Sequence, residues 1–501
     1  MNHNSESPRA ATLSEKFRPV LYSPVLRLTG GLLVFEALLL LVPLLLSLIC
    51  GEDDWHGFLI AAAVSAAAGG CAMYAGRHAT RRLLRRDGYL LITIVWILFS
   101  AVSMIPFIIG AGLDPTLAYF ESMSGFTTTG ATVISDVESL GHGLLLWRSI
   151  IQWIGGLGIV LFLVAVLPSL NDSGGIALFN AEMTGITHDK LHPRIRQTAM
   201  SLWSVYLMLT VALAIFLLFG GMSLFDAVCQ SLTTMATGGF STRNAGIAAW
   251  DSPYIASVMT VFMTIGGMNF VLIYNALRGQ WRQMWRNTVL RAYLIIIAAS
   301  YVVIAVALTV QGLFTDADAG VVAPLFHIAS TITSTGFGYG DFSAWGPLAV
   351  VLTIALMMTG ACAGSTTGAI KIDRVVAMLK NIRNEIYLTV YPKHVMYVKL
   401  DGTPLSHSSL RRMLGFVSVY CLLLVLGAML MSGYGYEIAD SLFASASCIG
   451  NNGLGYGATA SGFGSLPAPL LWFYSALMLI GRLEVFTVFA LFIPGVSLRE
   501  K

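Results

Sequence analysis

Apolar stretches of the length that crosses a bilayer as a helix, about 20 residues, recur along the whole chain. They lie near 31–50, 57–75, 89–111, 144–168, 198–220, 254–277, 290–312, 411–433 and 467–493, and another begins near 347 but is broken midway. Ten such segments cannot share one water-excluding core. They fold in a bilayer, where every backbone polar group must be paired internally and helices are the simplest solution. Composition agrees, because only 11% of the 501 residues are charged, against about 25% in soluble domains. The expected fold class is an all-α polytopic membrane protein. No small-x-small cleavage site follows the stretch at 31–50, and the next stretch is apolar too, so the first is expected to be a retained span.

Charge assigns the sides. Arg77, Arg81, Arg82, Arg85 and Arg86 follow the second span, and Lys190, Arg194 and Arg196 follow the fourth. Arg278, Arg282, Arg286 and Arg291 follow the sixth, and Lys371 to Arg412 is a long basic connection. The alternate loops carry acids instead: Glu52, Asp53 and Asp54, then Asp316 and Asp318. The positive-inside rule puts the basic loops and both termini in the cytoplasm. The six cysteines (Cys50, Cys71, Cys229, Cys362, Cys421 and Cys448) stand singly with no CxxC pair, which reads as small apolar thiols among helices.

Four external connections contain versions of one polar segment: "ESMSGFTTTGAT", "QSLTTMATGGFS", "ASTITSTGFGYG" and "ASASCIGNNGLG". Their polar runs end at Gly130, Gly238, Gly336 and Gly453, at intervals of 108, 98 and 117 residues. This is an internal repeat of helix, short amphipathic segment, polar glycine turn and helix. The segments before the turns, Pro115–Phe126, Ser223–Thr234, Ala323–Thr333 and Ile438–Ile449, are each about 18 Å long as helices. That is little more than half of a hydrocarbon core about 30 Å thick, so each enters the membrane and stops. Non-helical backbone at that depth must be buried in protein or line a wet cavity.

The residue types then have a physical reason. A dehydrated cation needs a shell of oxygens, which rings of backbone carbonyls can supply. Aligned carbonyls require backbone angles that glycine adopts without a Cβ clash. Hydroxyls and amides beside the glycines tie the turns in place or add oxygens, and each short helix aims its partly negative C-terminus inward. The expected ion-binding residues are Thr128, Thr129 and Gly130; Ala236, Thr237 and Gly238; Ser334, Thr335 and Gly336; and Asn451, Asn452 and Gly453.

These turns, together with "WRSIIQWIGGLGI" (147–159), "GACAGSTTGAIK" (360–371) and "GRLEVFTVFALF" (481–492), resemble the Trk/Ktr/HKT superfamily of potassium and sodium transporters, over nearly the whole chain. The N-terminal hairpin favours the bacterial Trk-type potassium uptake subunit. The resemblance implies four pseudo-symmetric pore units in one chain: 1–87 as N-terminus and extra hairpin, then repeats at 88–196, 197–288, 289–399 and 400–501. It also implies a homodimer with one pore per protomer, a cytoplasmic nucleotide-binding regulatory subunit and a bacterial inner membrane. Glycine in all four turns, Gly130 included, goes with potassium in the family. Potassium is then the transported ion, and neither a cofactor nor a nucleic acid is expected.

The stretch from 347 breaks at "TGACAGSTTG" (359–368) before Lys371 and Arg374. Its evenly spaced glycines could form a close helix-packing face, or the segment could be unwound, since each glycine costs a helix about 1 kcal/mol. The family places a gating loop here, which would make Gly360, Gly364, Ser365, Thr366, Thr367 and Gly368 gate residues. Arg482 lies within the last span, where an unpaired charge costs about 2.5–3.5 kcal/mol, so it must face protein or water. Glu484, two residues on, is badly placed as its partner. In the family the matching Arg faces the pore as an electrostatic barrier; a structural ion pair with another residue is the alternative. Arg148, near the outer end of its span, is expected to snorkel.

Other classes fit less well. An intramembrane hydrolase would need a nucleophile with a base at depth. His327 is the main histidine in an apolar stretch, no GxSxG or HExxH occurs, and the protein is not expected to be an enzyme. A proton- or sodium-coupled carrier is the closer rival, because such proteins use broken helices at midplane sites.

Overall fold

The computed structural model describes residues 24–77, 85–158, 195–314 and 318–489. Arg81, Arg82, Lys190, Arg194 and Asp316, used in the charge argument, lie outside these residues, as do 159–168 and 490–493 of two expected spans.

Helices α1 (Pro24–Cys50) and α2 (Trp55–Ala75) form a hairpin, and four units of one pattern follow. The first has α3 (Arg85–Gly110), the short α4 (Pro115–Phe126) and α5 (His142–Leu157). The second has α6 (Ile195–Phe219), α7 (Leu224–Met235), α8 (Pro253–Gly266) and α9 (Phe270–Leu277). After the six-residue α10 (Trp281–Arg286), the third has α11 (Thr288–Val310), α12 (Ala323–Ile332), α13 (Pro347–Thr359) and α14 (Ile372–Val390). The fourth has α15 (His407–Gly433), α16 (Ile438–Ile449), α17 (Ala468–Leu483) and the short α18 (Val485–Phe489). An antiparallel ribbon, Lys399–Leu400 with Thr403–Pro404, sits in the connection between the third and fourth units.

Among the described residues six helices are long and apolar enough to cross a membrane: α1, α2, α3, α6, α11 and α15. These are the hairpin and the first helix of every unit. Among the described residues the second helix of the second, third and fourth units is broken, where the sequence suggested a break in the third alone, and that of the first ends at Leu157, with 159–194 outside the described residues. α5 stops at Gly158 (φ 97°), α8 and α9 meet at an angle of 103°, α13 stops at Gly360 (φ 68°), and α17 stops at Glu484 (φ 65°). An apolar run of 20 residues does not reveal such a break, because one residue in left-handed backbone ends a helix without changing hydropathy.

Packing in the hairpin relies on small residues. A Cβ on Gly30 would meet the Gly69 carbonyl oxygen at 2.6 Å, and one on Gly69 would meet the Gly30 carbonyl oxygen at 2.7 Å, so the two backbones touch. Glu36 is fully buried where α1, α2 and α3 meet, and accepts hydrogen bonds from Ser65 (3.1 Å) and Ser103 (2.9 Å). Leu38, Ile49, Phe219, Val310 and Leu422 point outward, as lipid-facing residues do.

Candidate functional site

The four short helices end in turns with one geometry. Thr127, Ala236, Thr333 and Gly450 cap their C-termini. The next residue in each, Thr128, Thr237, Ser334 and Asn451, has φ of 52–53°, a conformation rare for side chains with a Cβ. Two residues further on, Gly130, Gly239, Gly336 and Gly453 have φ of 79–82°. The residue between them donates its backbone N–H five positions back: Thr129 to Ser124, Gly238 to Thr233, Thr335 to Ser330 and Asn452 to Ser447, at 2.8–2.9 Å. All twelve expected ion-binding residues therefore lie in these turns, with one change of register. In the second turn Ala236 is the helix cap, and the residue equivalent to Gly130 is Gly239, not Gly238. The Gly238–Gly239 pair permits either alignment, and the end of α7 decides between them. The apolar residue that follows each ring glycine, Ala131, Phe240, Phe337 or Leu454, is buried and was the signal in the sequence for the right register.

The turns close on one another. A Cβ on Gly130 would clash with the Gly238 carbonyl oxygen, one on Gly239 with that of Thr335, one on Gly336 with that of Asn452, and one on Gly453 with that of Thr129. The order runs first to second, third, fourth and back to first. Four carbonyl oxygens and four glycine Cα groups thus alternate around a single axis, each glycine admitting its neighbour's backbone because it has no side chain.

Polar groups hold the ring from behind. Gln152 on α5 donates to the Gly238 carbonyl (2.6 Å) and accepts from the Phe240 N–H (3.1 Å). The Asn451 amide donates to Thr129 Oγ1 (3.0 Å) and to the Met478 carbonyl (2.8 Å), and the Asn452 amide donates to the Thr331 carbonyl (2.9 Å). Arg148 does not snorkel. It is 2% exposed, its Nε donates to Glu121 Oε1 at 2.9 Å, and its other nitrogens donate to the Ser241 carbonyl and Thr132 Oγ1. The guanidinium also lies 4.0 Å from the Phe240 ring centre. Glu121, Arg148 and Gln152 had no part in the sequence reading of the ring. His327 is buried packing, with Nε2 2.8 Å from Thr353 Oγ1 and its ring stacked on Phe342.

Residues 360–371 are unwound rather than a helix-packing face, and they lie against the ring. Backbone hydrogen bonds tie Cys362 to Gly267 and Phe270 to Gly364 across to the bend between α8 and α9. Thr366 Oγ1 is 3.1 Å from Thr237 Oγ1 in the second turn, and a Cβ on Gly368 would meet the Gly450 carbonyl and the Asn451 side chain. Ser365 and Thr367 bond to each other at 2.8 Å. Arg482, in the last turn of α17, donates to the Thr366 carbonyl (2.5 Å) and to the Gly155 and Gly156 carbonyls at the end of α5 (2.7 and 2.5 Å). A helix C-terminus carries partial negative charge, so these partners suit a cation. Glu484 pairs with Arg374 on α14 instead.

The sequence profile of the TrkH family, described as a cation transport protein, matches residues 56–498. The chain belongs to the TrkH family of cation transport proteins. Within it, the chain is 33% identical to the Trk system potassium uptake protein TrkH of Escherichia coli K12 over 477 residues, 94% of this chain and 99% of that protein. It is 34% identical to the TrkH of Halomonas elongata, over 94% of this chain and 98% of that one. The crystal structure of the potassium transporter TrkH from Vibrio parahaemolyticus superposes with a TM-score of 0.84 at 31% identity, covering 94% of this chain and 98% of that one. The TrkH family is one of membrane transport proteins and not of enzymes.

Proposed function

We propose that this TrkH-family chain takes up potassium through a pore whose selectivity filter is the ring of four turns. The observation that supports the reading is the closed alternation of glycine and carbonyl around one axis, a backbone ring of the kind that can supply a dehydrated cation with oxygens. Potassium is the ion named for the similar proteins of Escherichia coli and Halomonas elongata. The filter residues are Thr128–Gly130, Thr237–Gly239, Ser334–Gly336 and Asn451–Gly453, a set that now includes Gly239 and leaves Ala236 as a helix cap. The unwound segment with Gly360, Gly364, Ser365, Thr366, Thr367 and Gly368 acts as the gate beneath it, and Arg482 pins that segment to the first unit. The basic loops and both termini face the cytoplasm of the inner membrane. The protein works as a homodimer, one pore per protomer, and a nucleotide-binding subunit docks on its cytoplasmic loops; both rest on the family resemblance.

Tracer uptake of rubidium and of sodium into liposomes tests the filter, with wild type beside Gly336→Ser. The expected result is rubidium flux that excludes sodium in wild type and loses that preference in the variant. Flux indifferent to the substitution, or absent without a proton gradient, would replace the filter reading with a coupled carrier whose site lies elsewhere.

A further inference from the structure

Away from the ring, three ligating side chains meet where the hairpin touches the first unit. Cys50 ends α1, Glu52 follows in the turn, and His142 opens α5. One ligand atom from each, a thiol sulfur, a carboxylate oxygen and a ring nitrogen, lies within 4.8 Å of the others. His142 Nδ1 is 2.7 Å from Glu52 Oε1, and the imidazole packs edge-on against Phe225, which fixes the ring's direction.

Helix capping accounts for part of this. The Glu52 carboxylate accepts from the backbone N–H groups of His142 (2.9 Å) and Gly143 (3.2 Å) in the first turn of α5. Capping leaves Cys50 and Asp54 unexplained. Asp54 is 7% exposed, and its carboxylate oxygens accept no hydrogen bond of good geometry, the Ser47 hydroxyl and the Leu144 N–H being its nearest donors. It is aimed at the same place, since a Cβ on Gly141 would meet Glu52 Oε2 at 2.7 Å and Asp54 Oδ2 at 2.9 Å. Among the described residues no lysine or arginine forms an ion pair with either acid. Two carboxylates, a thiol and an imidazole therefore converge with no lysine or arginine paired to the acids among the described residues, and such groups are ordinarily balanced by a cation.

We propose that this cluster binds a divalent cation of the zinc class. Sulfur, nitrogen and oxygen donors together select borderline-soft metals over magnesium or calcium. Cys50 would bind as the thiolate, releasing its proton to solvent. His142 would bind through Nδ1 and Glu52 through one oxygen. Asp54 completes the shell directly or through a bound water. The ion would clamp the α1–α2 turn onto the start of α5 and so fasten the N-terminal hairpin to the first pore unit.

The test titrates Co²⁺ alone into the purified full-length protein, then adds Zn²⁺. A thiolate-to-cobalt charge-transfer band that Zn²⁺ displaces is expected in wild type and in Cys71→Ser, whose thiol is exposed elsewhere. The band should vanish in Cys50→Ser and weaken at least tenfold in apparent affinity in His142→Ala and Asp54→Asn. Should Cys50→Ser fail to fold, the His142→Ala and Asp54→Asn titrations decide alone. No band in wild type, a band that survives in Cys50→Ser, or unchanged affinity in both of the other variants overturns the proposal. Capping alone produces no such spectrum.

Discussion

Arg148 shows what a single residue can conceal. In the sequence it is one cation near the end of an apolar run, and the ordinary fate of such a side chain is to reach for the headgroups. Its partner Glu121 stands 27 residues earlier, on a different helix, and only the return of α5 against α4 brings them together. Nothing local encodes that contact, so neither residue was legible as part of the ring's support. Removing one member of a buried pair costs about 3–5 kcal/mol, because the other charge stays buried and uncompensated. Glu121→Gln should therefore lower the thermal unfolding temperature of the purified protein sharply. Glu121→Gln combined with Arg148→Met should recover part of the loss. Equal destabilisation by the single and double substitutions would mean that the pair contributes through packing and not charge.

At the scale of elements, the short helices were readable almost to the residue. α4 and α16 begin and end where the sequence put them, and α7 and α12 differ by one residue at their ends. The signals were explicit: Asp114 accepts from the Thr116 N–H and Ser223 from the Asp226 N–H as N-caps, Pro115 opens α4, and polar turns close all four. The breaks in the second helices were not readable, since they fall at isolated residues such as Glu484 inside apolar runs. The register of the second turn was also missed, and it has a functional consequence. Gly239 needs left-handed backbone, where a Cβ costs about 1–2 kcal/mol, and a Cβ there would strike the Thr335 carbonyl. Gly238 has ordinary backbone, and a Cβ there would meet the end of the Gln152 side chain and not backbone, so the cost falls on the two hydrogen bonds Gln152 makes to the turn. Gly239→Ala should reduce rubidium flux about tenfold, as a cost of that size implies, and Gly238→Ala should reduce it less. Liposome uptake of the two variants side by side checks this, and the reverse order would restore the register with Gly238 as the ring glycine.

For the whole molecule, the repeat, the four-unit architecture and the family were all legible, because 100-residue periodicity survives divergence of the individual segments. The contacts that join distant units were not. Arg482 is the clearest of them, a side chain from the fourth unit bonded to the third unit's unwound segment and to the first unit's α5. On the gating role proposed for the unwound segment, loss of that link should let it open more readily. Arg482→Gln is expected to raise steady rubidium flux several-fold while leaving the preference for rubidium over sodium intact. Unchanged flux in a well-folded variant would assign Arg482 a purely architectural role. The ring has a further consequence, which concerns heredity. Because one chain supplies all four quarters, a single codon change alters one quarter and leaves three untouched, whereas in a pore made of identical subunits it would strike four times. The turns already differ in this way, with asparagines at 451 and 452 where the first turn has threonines. If the ring is the filter proposed above, its selectivity can change by small steps, each altering one quarter while three keep their oxygens.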